Sequence, residues 1–132
     1  MTDERAQESE DRVVLRLPAT SAYLSVLRTA TASLASRLDF TLDDIEDLRI
    51  AVDEACALVL PHAPEGSSLE CVFDLSPGSL AVSVTVPTDT PPRLSEDSFA
   101  WTVLTALAGE VHSTAANGEL TLSLLKRKVP PP

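Results

Sequence analysis

Apolar and polar positions alternate through "RVVLRLP", which puts Val13, Leu15 and Leu17 on one face of a strand that Pro18 ends. The period then lengthens. In "PATSAYLSVLRTATASLASRLDF", Tyr23, Leu24, Leu27, Leu34 and Leu38 recur with small alanines between them, predicting an amphipathic helix of about five turns. Arg28 lies inside it, between Leu27 and Thr29. A second helix starts at Thr41, a good N-cap, with Asp44 three residues on in an approximate capping box and Asp43, Glu46 and Asp47 beside it. These acids complement the helix dipole. Leu42, Ile45, Leu48, Val52, Ala55 and Val59 form the stripe that would lie on a sheet, and Pro61 and Pro64 close the helix.

Alternation returns in "SLECVFDLS" and "SLAVSVTV", with Leu80, Val82, Val84 and Val86 on one face and the turn dipeptide Pro77-Gly78 between the two strands. "PTDTPPRLSED" reads as a loop by its prolines. "SFAWTVLTALAGEV" predicts a third helix, capped by Asp97 or Ser98, with Phe99, Val103 and Leu107 as its core face and Gly109 at its end. "GEVHST" and "ELTLSLLKRK" predict a last hairpin turned at Asn117-Gly118. The order is β-α-α-β-β-α-β-β, an α+β two-layer sandwich with a mostly antiparallel sheet and helices on one face.

Residues 1–11 are polar and without periodicity and read as a disordered arm; "VPPP", 129–132, reads as a tail. Residues 12–128 are then one domain, since 132 residues suffice for a single core but not two. Acids outnumber bases 20 to 10, for a net charge of −10. That balance argues against a nucleic-acid binder, which needs a Lys/Arg footprint, and suits a basic partner, although solubility alone explains it too. There is no apolar run near the roughly 18 residues of a membrane span, and "MTDERAQESEDR" is the reverse of a signal peptide. A cytoplasmic location follows as the expectation. Cys56 and Cys71 fit neither a disulfide framework nor a metal site and read as buried free thiols, with a redox role as the alternative. No Ser-His-Asp or zinc pattern surrounds His62 or His112.

The element order, together with "DLRIAVDEAC" and "FAWTVLTALAGEV", resembles the anti-sigma factors of the histidine-kinase-like ATPase (GHKL) superfamily, and among them the actinobacterial anti-sigma-F branch. The likeness runs from about Arg12 to Lys128. It implies a protein that sequesters an alternative sigma factor and is released by an anti-anti-sigma factor. It also implies a homodimer, with no direct contact to nucleic acid or membrane. In resembling proteins an arginine of the first helix contacts the sigma factor, and Arg28 matches it; the alternative is a solvated arginine on an exposed face.

Members of the family that are serine kinases use an E-x-x-x-N helix motif, a general base and, one turn on, a Mg²⁺ ligand. Matching "DEACALVL" to it puts Glu54 at the base and Leu58 at the Asn. The two share a helix face, and a leucine cannot hold Mg²⁺. Asp53 is turned about 100° from Glu54, toward a solvated flank. The family's D-x-G-x-G should begin at Val86, but "VPTDTPP" has Asp89 out of register and no glycine. Its last glycine motif, whose backbone N–H groups approach phosphates, is replaced by "SFAW", with Phe99 and Trp101 in the way. Arg93 alone supplies positive charge in the lid loop. No cofactor is expected, and any ATP or Mg²⁺ binding should be weak. Three readings follow: an anti-sigma factor with a degenerate pocket and vestigial base Glu54; an ATP-dependent serine kinase of an anti-anti-sigma factor; or a degenerate ATPase domain serving another partner-switching scaffold.

Overall fold

The computed structural model describes residues 11–89, 94 and 96–128. The expected arm over residues 1–10, the lid residue Arg93 and the tail over 129–132 lie outside the described residues. The elements follow the expected order: β1 (Asp11–Pro18), α1 (Leu24–Arg37), α2 (Leu42–Val59), β2 (Ser68–Ser76), β3 (Ser79–Pro87), α3 (Phe99–Ala108), β4 (Glu110–Ala116) and β5 (Glu119–Arg127). β1 begins one residue earlier than the alternation suggests, because Asp11 pairs with Leu75.

The strands form one sheet in the order β1-β2-β3-β5-β4, and every neighbouring pair is antiparallel. Two turns fix its register. Gly78 has φ +81 after Pro77, the conformation a type II turn demands at its third residue. Asn117 and Gly118, at φ 57 and 75, form the type I′ turn whose twist matches the strands it joins. With registers so fixed, Val13, Phe73, Val82, Leu124 and Val111 form one row across all five strands. Alternation then turns Leu69, Cys71, Phe73 and Leu75 of β2, and Leu80, Val82, Val84 and Val86 of β3, into a single core. The opposite face is half-exposed, and there the hydroxyls of Thr85 and Thr121 hydrogen-bond at 2.8 Å.

α2 is set by its cap: the Thr41 hydroxyl accepts the Asp44 N–H at 3.1 Å. Its sheet-facing stripe buries Leu48, Ala51, Val52, Ala55, Cys56 and Val59. Leu42 does not join the stripe and is 84% exposed. As the first helical residue it points back past the edge of the layer. α1 buries Leu27, Thr31 and Ala35, and the Thr31 hydroxyl is satisfied by the Leu27 carbonyl at 2.7 Å. Tyr23, expected on that face, is instead exposed in a one-turn 3₁₀ segment, Ser21–Tyr23, ahead of the helix.

α3 shows the largest departure. Trp101, Leu104 and Ala108 are buried; Val103 and Leu107 are half-buried, and Phe99 is 84% exposed. Nearly every position of "FAWTVLTALA" is apolar, so periodicity cannot choose a face and the packing against α2 does. Lys126 of β5 fastens the far end of this layer. Its ammonium donates to the Leu107 carbonyl at 2.9 Å and lies 3.6 Å from Asp44 and 3.9 Å from Asp47. One cation thus answers the C-terminus of α3 and the acidic N-terminus of α2.

Candidate functional site

The expected nucleotide rim is formed by the C-terminal half of α2, the end of β3 and the start of α3. The Lys126 clamp holds the last turn of α3 beside the first turns of α2, and the two helices pack together. Ser98 and Phe99 lie at the opposite end of α3 from this clamp, and Glu54 and Leu58 in the opposite half of α2.

Each expected position can now be placed. Glu54 is half-buried. Leu58, one turn on and expected at the metal-ligand position, is half-buried too and packs against the core cluster. Val86 is fully buried on the core face of β3, opposite Leu120. Asp89 is exposed. At the start of α3 the Ser98 hydroxyl accepts the Trp101 N–H at 3.1 Å, so one of the helix's first free donors already has a side-chain partner. Trp101 is buried, and Phe99 stands out from the first turn. Among the described residues no group of three His, Cys, Asp or Glu could hold a metal ion. At the positions that the resemblance would give to a Mg-nucleotide, the chain thus presents isobutyl, isopropyl and aromatic groups, which offer no oxygen to a metal ion.

Asp53 corrects a sequence expectation. It does not stand in solvent but reaches across to α1, where its Oδ2 accepts from Arg28 Nη1 at 3.1 Å. Asp53 is 31% exposed and Arg28 41% exposed. The other carboxylate oxygen, Oδ1, is buried and has no hydrogen-bond partner among the described residues. No feature of the sequence separates this pair from other Arg and Asp combinations, except that its members stand on helices expected to be neighbours.

Cys56 and Cys71 are both buried and free, as expected. Burial, and secondarily the charge of Asp53, push the Cys56 thiol up to about 12; burial and then Cys56 push Cys71 up as well. Neutral thiols of this kind act as small apolar side chains. His62 is half-buried in a 3₁₀ turn after α2, and His112 is exposed on the edge strand β4.

Comparison with known proteins places the chain. The model of the histidine kinase-like ATPase domain matches residues 17–126, and the chain belongs to that family. It is 34% identical over 101 residues to the anti-sigma-F factor RsbW of Mycobacterium tuberculosis, a match covering 76% of this chain and 60% of that protein. It is 33% identical over 79 residues to the serine-protein kinase RsbW of Bacillus thuringiensis, covering 58% of this chain and 49% of the relative. The chain therefore spans about half to three fifths of the length of these relatives. A solved structure of the RsbU and RsbW domains of a Mycobacterium tuberculosis protein shares the fold, with a TM-score of 0.70 at 17% identity over 92% of this chain and 33% of that one.

Proposed function

We propose that this member of the histidine kinase-like ATPase domain family is an anti-sigma factor that acts by occupying an alternative sigma factor, released in turn by an anti-anti-sigma factor, with little or no catalysis. The relative named an anti-sigma-F factor supports the partner. The observation that carries the mode of action is the rim: Leu58, Val86, Phe99 and Trp101 offer no oxygen ligand where a Mg-nucleotide would need one. Glu54 is then a vestigial base without a reaction to serve.

The distribution of charge supports a binding role. α2 carries Asp43, Asp44, Glu46, Asp47, Asp53 and Glu54 against a single Arg49, whereas α1 carries Arg28 and Arg37 and no acid. The acidic helix would attract the basic, DNA-contacting regions of a sigma factor, and α1 offers the contrasting patch that fixes register. The outer side of α1, with Ser25, Val26, Thr29, Ala30 and Ser33, borders a shallow groove against Leu15 and has room for a partner segment. Arg28 is the sigma-contacting residue in this reading. A homodimer, alone or around one sigma factor, is part of the proposal. No described helix is long and apolar enough to cross a membrane, and the proposed setting is the cytoplasm.

The test is binding of the purified chain to each purified sigma factor encoded in its source genome. Saturable binding of one of them supports the reading, and binding of none overturns it. A second reading, a serine kinase of the anti-anti-sigma factor with Glu54 as base, takes its support from the relative named a serine-protein kinase. Titration with Mg-ATP separates the two. The anti-sigma reading expects weak binding or none and no phosphate transfer; micromolar affinity with transfer to the antagonist would establish the kinase.

A further inference from the structure

The Arg28–Asp53 pair joins two helices that otherwise carry opposite roles, and its geometry is lopsided. Arg12 shows what a fully engaged guanidinium looks like in this fold: its Nε and Nη2 hold both oxygens of Asp74, at 2.7 and 3.2 Å. Arg28 gives Asp53 only Nη1, to one oxygen. Its Nε and Nη2, the edge that matches a carboxylate in two parallel hydrogen bonds, have no partner among the described residues. The Asp53 side is equally incomplete, with Oδ1 buried and unsatisfied.

We propose that Asp53 is a positioning residue for partner recognition, holding Arg28 by one corner so that the free Nε/Nη2 edge receives a carboxylate of the bound sigma factor. The inference rests on the anti-sigma reading and adds to it how the contact residue is held and what chemical group it receives. Because Nη1 alone contacts Asp53, a partner carboxylate can take the other edge without breaking the pair. Asp53 therefore does not compete for Arg28. It removes in advance the rotamer freedom that a long side chain otherwise loses on binding. It also ties the recognition helix α1 to α2, one residue from Glu54 at the rim.

The experiment measures the affinity of the sigma factor identified above for the wild-type chain, Arg28→Ala, Arg28→Lys, Asp53→Asn and the double variant Arg28→Ala/Asp53→Asn, with a thermal melt of each. Arg28→Ala is expected to weaken binding about tenfold or more, and Asp53→Asn about two- to tenfold, the range set by immobilising one flexible side chain. Arg28→Lys can keep a contact to Asp53 but has no second edge, and should bind nearly as weakly as Arg28→Ala. In the Arg28→Ala background, Asp53→Asn should have no further effect, because its influence passes through the guanidinium. If Asp53→Asn does not fold, Asp53→Ser takes its place with the same expected loss, and Asp53→Glu, which keeps the carboxylate, should bind within about threefold of wild type. Wild-type affinity for Asp53→Asn, or an equal loss with and without Arg28, would overturn the positioning role while leaving the anti-sigma reading in place. Failure of every sigma factor to bind the wild-type chain would overturn both.

Discussion

Phe73 and Phe99 are the same side chain in two regions held to different rules. Phe73 stands at the centre of the sheet with none of its surface exposed; Phe99 opens α3 with 84% exposed. The sheet interior is specified several times over, by alternation, by two turn dipeptides and by cross-strand register, and each agrees with the others. The rim around Phe99 is specified only by what it must bind. In the reading proposed above, Leu58, Val86, Phe99 and Trp101 stand where a Mg-nucleotide would need other groups, and the layers close around them normally. Phe99 can stand exposed because it opens a helix and takes no part in the packing, whereas Leu58, Val86 and Trp101, on the same rim, are packed against or within the core.

The comparison is most sharply tested by removing each ring. Phe73→Ala is expected to cost about 3–5 kcal/mol in urea unfolding, the range for truncating a buried aromatic. A loss below about 1 kcal/mol would mean that the centre of the sheet is not packed as described. A second test acts on the same interior through pH. The Cys56 thiol is held up to about 12 and Cys71 is raised too, whereas unfolded thiols titrate near about 8.5. The folded state thus favours the neutral form. Its contribution is complete below the unfolded value and is lost as pH rises from there, by about 1.4 kcal/mol per pH unit for each thiol. Stability measured between pH 8 and 11, on the order of that slope, should fall less steeply in a Cys56→Ala/Cys71→Ala variant. Equal slopes would contradict the burial of the thiols.

The Lys126 clamp, at the far end of the helical layer, should give an intermediate effect. Lys126→Met keeps the stem but leaves the Leu107 carbonyl and Asp44 without their cation, and should cost about 1–3 kcal/mol by thermal or denaturant unfolding. The same change should loosen amide-exchange protection at the α3 C-terminus before the rest of the fold. The smallest effect is expected at the rim itself: Phe99→Ser should change stability by no more than about 0.5 kcal/mol. A loss of several kcal/mol would show that Phe99 is covered, for instance by a second copy of the chain, and dilution of the sample would then lower its melting temperature.

Much of this was legible in the residues. The hairpins announced themselves at Pro77-Gly78 and Asn117-Gly118, because each turn type accepts few residues at positive φ. Thr41 and Ser98 announced two helix starts, because few side chains can accept the N–H three residues on. That Leu58 stands at a metal-ligand position is what the resemblance implies; no local pattern of residues says so. The face of α3 was not legible either. A helix apolar on nearly all sides has no preferred stripe, and Trp101, Leu104 and Ala108 were selected by the space between α2 and the sheet.

The sequence by itself therefore determined the order of elements, their caps and turns and the strand faces, because these depend on residues a few positions apart and on side-chain identity. Only the tertiary structure decided that Arg28 meets Asp53, 25 residues away, and that Lys126 closes α2 against α3. Opposite charges are plentiful along this chain, and which of them pair depends on how the helices are docked. That docking is fixed by burial of apolar surface across the whole sandwich, and no local pattern records it.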